Sequence, residues 1–284
     1  ITIQPVRCLA LTPNRLYCDR GAHVSNTEMR LLHLTDLHMR QALIGTAGSQ
    51  ERLSRDIPVI LDRLEKKLDN WTPDIIAITG DLLDVPDRVV DGSLEKSDPE
   101  QFQGSIEQSV ADYCWIRAWL EATGREWIVI PGNHDHRGAF YDVFGGVLPD
   151  KYMNGWRFVG FDDELDDARS PFRPKLEMSR FVKALEPKDT PVPQIHLQHY
   201  ILSPRVVRRS LYSYSPGSGI LDRTERSGVV RCTISGHFHP GAFCRNANGI
   251  VYSTAPAFCE RPFPIRLVDF DRWSVINVMD RTLD

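Results

Sequence analysis

Five short clusters in this chain carry residue types that bind metals and move protons. They are Asp36-Leu37-His38, Gly80-Asp81, Gly132-Asn133-His134-Asp135, Gln198-His199 and Gly236-His237-Phe238-His239. Each closes an apolar run, at 31–34, 75–79, 127–130, 195–197 and 232–234 in turn. Two Asp, one Asn and four His from these clusters would offer mixed nitrogen and oxygen donors without a thiolate. Such a set suits Mn, Fe, Zn, Co or Ni better than a closed structural zinc site or an all-oxygen calcium site. Seven side chains are too many for one ion but right for two that share a bridging carboxylate. Two metals roughly 3.5–4 Å apart generate hydroxide and clamp both oxygens of an in-line displacement at phosphorus.

For these side chains to meet, the apolar runs must be strands that deliver them at their carboxyl ends, where ligands gather in α/β proteins. Runs at 30–34, 74–79, 127–130, 157–161, 194–197, 229–234, 249–253 and 264–270 have the length and β-branched content of buried strands. Between the first two, Ile57, Ile60, Leu61, Leu64 and Leu68 recur at helical spacing, and Pro58 starts or kinks that helix. A second helix reads Ile106, Val110, Tyr113, Ile116 and Leu120, with Ser105 and Gln108 as a capping box and Gly124 as the stop. Alternating strands and helices in the first half predict an α/β fold, and the strand-rich second half predicts a mixed or second sheet. Segments 40–53, 84–104 and 203–227 read as polar surface loops. No repeat or linker divides the chain, so a single domain over 1–284 is expected, with 1–28 an N-terminal extension and 203–228 a substrate-side loop.

In this order, and each after an apolar strand, Asp-x-His, Gly-Asp, Gly-Asn-His-Asp, His and Gly-His-x-His resemble the motifs of the calcineurin-like metallophosphoesterase superfamily, from Leu31 to about Pro240. The resemblance implies a four-layer α/β/β/α sandwich of two mixed sheets with a dinuclear metal site at the strand C-terminal ends. It implies Asp36, His38 and His239 on one metal, Asn133, His199 and His237 on the other, and Asp81 bridging. The cofactors would be two divalent or trivalent ions (Mn, Fe or Zn). His134 would contact the substrate phosphate and protonate the leaving oxygen. An Asp three residues after the bridging Asp would orient that histidine; Asp84 matches by spacing, and Asp135 is its neighbour in sequence.

The phrase His33-Leu34-Thr35-Asp36-Leu37-His38, Arg137 close behind Gly-Asn-His-Asp, and Ala255-Pro256-Ala257-Phe258 resemble the class III cyclic-nucleotide and glycerophosphodiester phosphodiesterase branch more than the protein phosphatases. After His199 relatives commonly have Pro, whereas this chain reads Tyr200-Ile201-Leu202-Ser203-Pro204. The expected activity is therefore that of a phosphodiesterase on a small phosphodiester, by in-line attack of a metal-bridging hydroxide. A phosphomonoesterase or a nuclease on the same fold is the alternative. An inactive scaffold stands behind both, because no ligand of the set is missing.

Other residues read more plainly. His23, His33 and His196 are structural; His196 precedes His199 by three residues and faces the other side of the strand. Asn133, Arg137 and Arg205 are the substrate-contact candidates, with Arg208 and Arg209 as a further anionic-substrate lip and Tyr212 and Tyr214 available to stack on a base. His136 and Arg137 either reach the substrate or lie in a solvated loop. The acidic run 162–167 reads as a solvated loop, and Trp115 and Trp119 as helix packing.

Composition narrows the class. With 284 residues, 34 Lys+Arg, 38 Asp+Glu and a formal charge of −4, the chain is neither disordered nor broadly basic. Nucleic acid and membrane surfaces are therefore not its expected partners, and a homo-oligomer is compatible with it. No apolar stretch approaches the roughly 18 residues of a membrane span. No secretory leader is expected in 1–19. Six cysteines without a C-x-x-C pair suggest buried thiols in a reducing cytoplasm. Two divalent ions would bring the formal charge of −4 close to zero.

Overall fold

A computed structural model describes residues 27–284 except 46–47, 147, 149, 187–188 and 207–210. Its strands are β1 (Met29–Leu34), β2 (Ile75–Thr79), β3 (Glu126–Ile130), β4 (Lys151–Met153), β5 (Trp156–Gly160), β6 (Glu164–Leu165), β7 (Pro171–Phe172), β8 (Gln194–Leu197), β9 (Val230–Ser235), β10 (Ala242–Arg245), β11 (Val251–Thr254), β12 (Pro264–Phe270) and β13 (Val275–Thr282). Its helices are α1 (Ile57–Trp71), α2 (Asp87–Val90), α3 (Ser93–Ser97), α4 (Pro99–Ala122), α5 (Arg137–Phe144), α6 (Lys175–Ala184) and α7 (Ile220–Arg226).

Two mixed sheets carry the fold, in the orders β13-β12-β1-β2-β3 and β10-β11-β9-β8-β5-β4. In the first, β1, β2 and β3 are parallel; in the second, β5, β8, β9 and β11 are parallel. The period-two alternation of strands sorts residues between the two cores. Trp156 and Phe158 of β5, Ile195 and Leu197 of β8 and Cys232 and Ile234 of β9 join the first sheet, α1 and α4 in one apolar cluster. Val159 of β5 and Tyr252 of β11 point the other way, into a second cluster with Phe181 of α6 and Ile220 of α7. The layers are thus helices, sheet, sheet, helices. Trp156 spans the sheet interface, its ring 4.8 Å from Phe270 and its indole N–H on the Asp271 carbonyl. Truncating a buried aliphatic in this interface to Ala costs about 2–5 kcal/mol, so the strand ends that form the rim are held firmly.

The structure corrects several sequence expectations. The second long helix does not begin at a Ser105–Gln108 capping box. It starts at Pro99, where the Asp98 carboxylate accepts the Gln101 N–H at 3.0 Å, and Ser105 instead bonds back to the Gln101 carbonyl. Proline at the first turn forfeits nothing, because that N–H has no helical acceptor. Segment 84–104 therefore holds α2, α3 and the start of α4, and 203–227 holds α7, so neither is simply loop. The acidic run is not uniformly solvated: Asp163 is buried against Arg173, whose guanidinium lies 3.6 Å from the Phe161 ring centroid. Asp162 pairs with Arg137 and accepts from Tyr141. Cys232, Cys244 and Cys259 are buried as expected, but Cys114 is exposed; Cys8, Cys18, His23 and the 1–26 part of the N-terminal extension lie outside the described residues. Helices α5 and α6 and strands β10 and β13 carry no strong sequence signal and were not anticipated. Among the described residues no helix is long and apolar enough to cross a membrane.

Candidate metal centre

The loops leaving β1 and β2 run together for three residues: the N–H groups of Asp36, His38 and Met39 donate to the carbonyls of Gly80, Asp81 and Leu82. The Gly236 N–H donates to the His199 carbonyl, tying the loop after β9 to that after β8, and Phe258 and Cys259 bond the carbonyls of Thr35 and Asp36. The five clusters thereby share one rim. Four of their residues, Asp36, His38, Asp81 and His237, sit at φ of 52°, 47°, 51° and 64°. A non-glycine residue there costs about 1 kcal/mol or more, and such strain gathers where side-chain aim matters. The motif glycines have a steric reason. A Cβ on Gly132 would collide with the backbone N and Oδ1 of Asp81, and one on Gly236 would collide with the Thr35 hydroxyl and lie 2.6 Å from Asp36 Oδ2.

Hydrogen bonds aim each donor atom. Asp36 Oδ2 accepts from the Thr35 hydroxyl at 2.7 Å and from the His237 N–H at 3.0 Å, which leaves Oδ1 turned inward. Oδ1 lies 3.8 Å from His38 Nε2 and 3.5 Å from His239 Nε2. Asp81 Oδ1 accepts the His134 N–H at 2.8 Å, while Oδ2 stands 3.6 Å from His38 Nε2 and 3.3 Å from His199 Nε2. His199 Nδ1 donates to the Thr79 carbonyl at 2.7 Å, so its lone pair is on Nε2, 3.2 Å from Asn133 Oδ1. His237 Nε2 likewise donates to the Leu211 carbonyl, leaving Nδ1 unprotonated. Two ligand groups result, Asp36–His38–His239 and Asp81–His199–His237, with Asp81 Oδ2 between them.

This arrangement fits cations. Asp36 Oδ1 and His38 Nε2 are buried with no hydrogen-bond partner, a costly state for polar atoms unless something of opposite charge lies between them. His199 Nε2 faces two oxygen acceptors at once. Burial alone lowers the pKa of His199 and His239, yet the carboxylates beside them win and raise His199 to about 9 and His239 to about 10. Burial, helped by His199 nearby, takes His237 down to about 3. Burial would raise Asp36, but His239 holds it below the usual carboxylate range. A field that draws protons to imidazoles this strongly also draws divalent ions, which compete with protons for the same lone pairs.

All seven sequence-selected ligands, His134 and Asp84 meet at this rim. His134 lies edge-on to His38, 4.9 Å between ring centroids, and its ring falls within the His38–Asp81–His134 group. Asp84 Oδ1 is 3.5 Å from His134 Nδ1 and 3.4 Å from His38 Nδ1. Asp135 turns away and takes the N–H groups of Leu82, Leu83 and Gly132 and the Tyr113 hydroxyl, so it ties loops together and does not orient His134. The substrate-contact candidates separate. Asn133 is at the centre; Arg137 is held by Asp162 at the start of α5, behind His136, whose Nδ1 caps that helix. Arg205 is exposed and does not line the metal cleft. Arg208 and Arg209 lie outside the described residues. Tyr212 borders the cleft, but Tyr214 is buried on Asp163 and cannot stack on a ligand. His33 and His196 are buried on Thr79 and Gln194.

Three contributors escaped sequence reasoning. Glu260 bonds His239 Nδ1, fixing Nε2 toward Asp36. Arg40 and Arg52 both bind Asp84, at 2.9 Å each. None belongs to a motif; only the nearby Ala255-Pro256-Ala257-Phe258 stretch marks the segment that brings Glu260. Carboxylate partners of ligating histidines are worth about 10–100-fold in metal affinity. Glu260→Gln is therefore expected to weaken metal binding by about that factor, measured by titrating metal-free protein with Mn or Zn; an unchanged affinity would dismiss its orienting role.

A family model for calcineurin-like phosphoesterases matches residues 29–241. By fold, the chain is similar to a dimetal phosphatase from Danio rerio, with TM-score 0.62 and 13% identity, covering 91% of this chain and 100% of that one. It is also similar to the purple acid phosphatase PPD1 from yellow lupin seeds, with TM-score 0.55 and 15% identity over 90% of this chain and 51% of that one. A third likeness is TT1561 of Thermus thermophilus, with TM-score 0.53 and 11% identity over 90% of this chain and 99% of that one. No curated protein matches the sequence.

Proposed function

Because this chain belongs to the calcineurin-like phosphoesterase family, metal-dependent hydrolases of phosphate esters that bind two metal ions, we propose that it is a phosphodiesterase acting on a small diester. Asp36, His38 and His239 hold one ion in this reading, Asn133, His199 and His237 the other, and Asp81 both; Mn, Fe or Zn suits the donors. When bound, the ions supply Lewis acidity toward the phosphoryl oxygens and lower the pKa of water to near neutrality.

The chain's own residues do the rest. Asp36 and Asp81 keep one oxygen each on backbone N–H groups and present the other, so the ligand geometry precedes loading. His134, partly exposed at the cleft wall with Asp84 on Nδ1, is placed to give a proton to the departing oxygen.

One observation carries the diester reading: a cavity of about 680 Å³ borders His134, and another of about 260 Å³ borders Asn133. A phosphorus centred in the cleft has room for a substituent on either side. After reconstitution with Mn, Fe or Zn, bis(p-nitrophenyl) phosphate is expected to exceed p-nitrophenyl phosphate in kcat/KM by about ten-fold or more. A preference for the monoester would overturn the reading. Cyclic nucleotides and glycerophosphodiesters complete the panel as natural classes.

A further inference from the structure

The cavity beside His134 is a built space, not a surface dent. One wall is backbone 40–45, pinned from both sides. Asp112 accepts the N–H groups of Gln41, Ala42 and Leu43, and Arg55 donates to the carbonyls of Arg40, Gln41, Leu43 and Gly45. The facing wall is α4, whose Gln101, Gly104, Ser105 and Gln108 stand at helical spacing on one face. Aliphatic residues, among them Leu94, Val85 and Ile44, complete it, and Ile44 is 73% exposed at the rim.

The polar groups here are mainly donors. Gln108 Oε1 accepts the Ile44 N–H, so its amide NH2 remains to donate, and Arg40, Arg52 and Arg88 can only donate. Three guanidiniums against the Asp84 and Asp87 carboxylates leave the lining about one charge positive. Such a space takes an acceptor-rich organic group, neutral or singly anionic, with an apolar face. His134 lines both this space and the metal cleft.

Resting on the assignment of His134 as the acid, we propose that this cavity is the leaving-group subsite and that it takes an alcohol of nucleoside size. The departing oxygen must lie at His134 to receive its proton, so the group attached to that oxygen extends into the space His134 borders. In the step, the P–O bond to that alcohol breaks as water's oxygen bonds to phosphorus. The proton on His134 goes to the alcohol oxygen, and water gives up the proton that restores charge balance.

Gly104 gives a clean test. Nothing lies within 4 Å of a Cβ placed on it, and both Ala and Phe favour the helix more than Gly does. Gly104→Phe projects a ring into the cavity, and Gly104→Ala gains at least as much helix stability without filling it. Thymidylyl-(3′→5′)-thymidine and the methyl ester of thymidine 3′-phosphate keep the same retained nucleotide, and only the first has a leaving group large enough to enter the cavity. Gly104→Phe is expected to cut kcat/KM for the first about ten-fold or more and leave the second within about three-fold, with Gly104→Ala at wild-type values for both. Equal effects on the two substrates, or none, overturn the subsite. Binding of thymidine alone, followed by ligand-observed NMR, reports on the cavity without turnover: it should occur in wild type and Gly104→Ala and vanish in Gly104→Phe. If the wild type hydrolyses neither ester, the diester reading fails, and thymidine binding then decides the cavity by itself; absence of binding overturns it.

Discussion

Exchanging Asp81 for asparagine is expected to abolish turnover, by on the order of 10³-fold or more, while the protein stays folded. The amide can keep the Oδ1 contact to the His134 N–H at 2.8 Å, so the loop after β3 retains its anchor. What changes is the atom between the two ligand groups. In place of an anionic oxygen 3.6 Å from His38 Nε2 and 3.3 Å from His199 Nε2, the variant presents an uncharged amide NH2. That leaves the centre with no bridging ligand. Metal analysis should find well under two equivalents, and added Mn or Zn should no longer raise the melting temperature, because stabilisation by a ligand requires that it bind the native state. The metal-free variant should melt below metal-free wild type, since the imidazoles around Asp81 more than offset the cost of burying its charge. Two retained equivalents with kcat/KM near wild type would refute the bridging assignment.

His134→Gln should cost about 10²–10⁴-fold on diesters with poor leaving groups, the usual range for a positioned proton donor. A nitrophenolate departs without a proton, so p-nitrophenyl diesters should lose far less. Metal content separates this role from its competitor. His134 lies close enough to His38 and Asp81 to be counted with them as a ligand group. If it were a ligand, the variant would lose metal and all substrates would suffer alike. Its contact with Asp84, and the hold of Arg40 and Arg52 on that carboxylate, favour the proton-delivery role: three side chains keep the histidine's outer nitrogen oriented. Loss of metal together with a substrate-independent defect would sink it.

The convergence of the candidate ligands was legible in the sequence because chemistry and placement coincide. Each candidate follows an apolar run, and strand ends in α/β folds are where such residues converge, so order and type brought Asp36, His38, Asp81, Asn133, His199, His237 and His239 to one rim. His196 was separable from His199 for the same reason, since alternation along β8 puts it against Phe161 and Phe181 in the outer core. The Gly residues of the motifs were visible as letters, but their cause, the approach of Gly132 to Asp81 and of Gly236 to Thr35, was not.

Partnerships across sequence distance were invisible. Glu260 meets His239, Asp112 meets 41–43 and Arg173 meets Asp163 only because sheets and helices stack, and no local pattern encodes such pairs. For the same reason the acidic run looked solvated while Asp163 was buried, and the cavity between 40–45 and α4 left no mark in the sequence. The sequence by itself determined which residue types could ligate metals and in what order they arrive at the rim, because ligand chemistry belongs to residue types and strand ends are local. The tertiary structure alone decided which oxygen of each carboxylate faces inward, which acid supports His134 and where a leaving group has room, because hydrogen-bond aim and cavity shape depend on what packs against each loop.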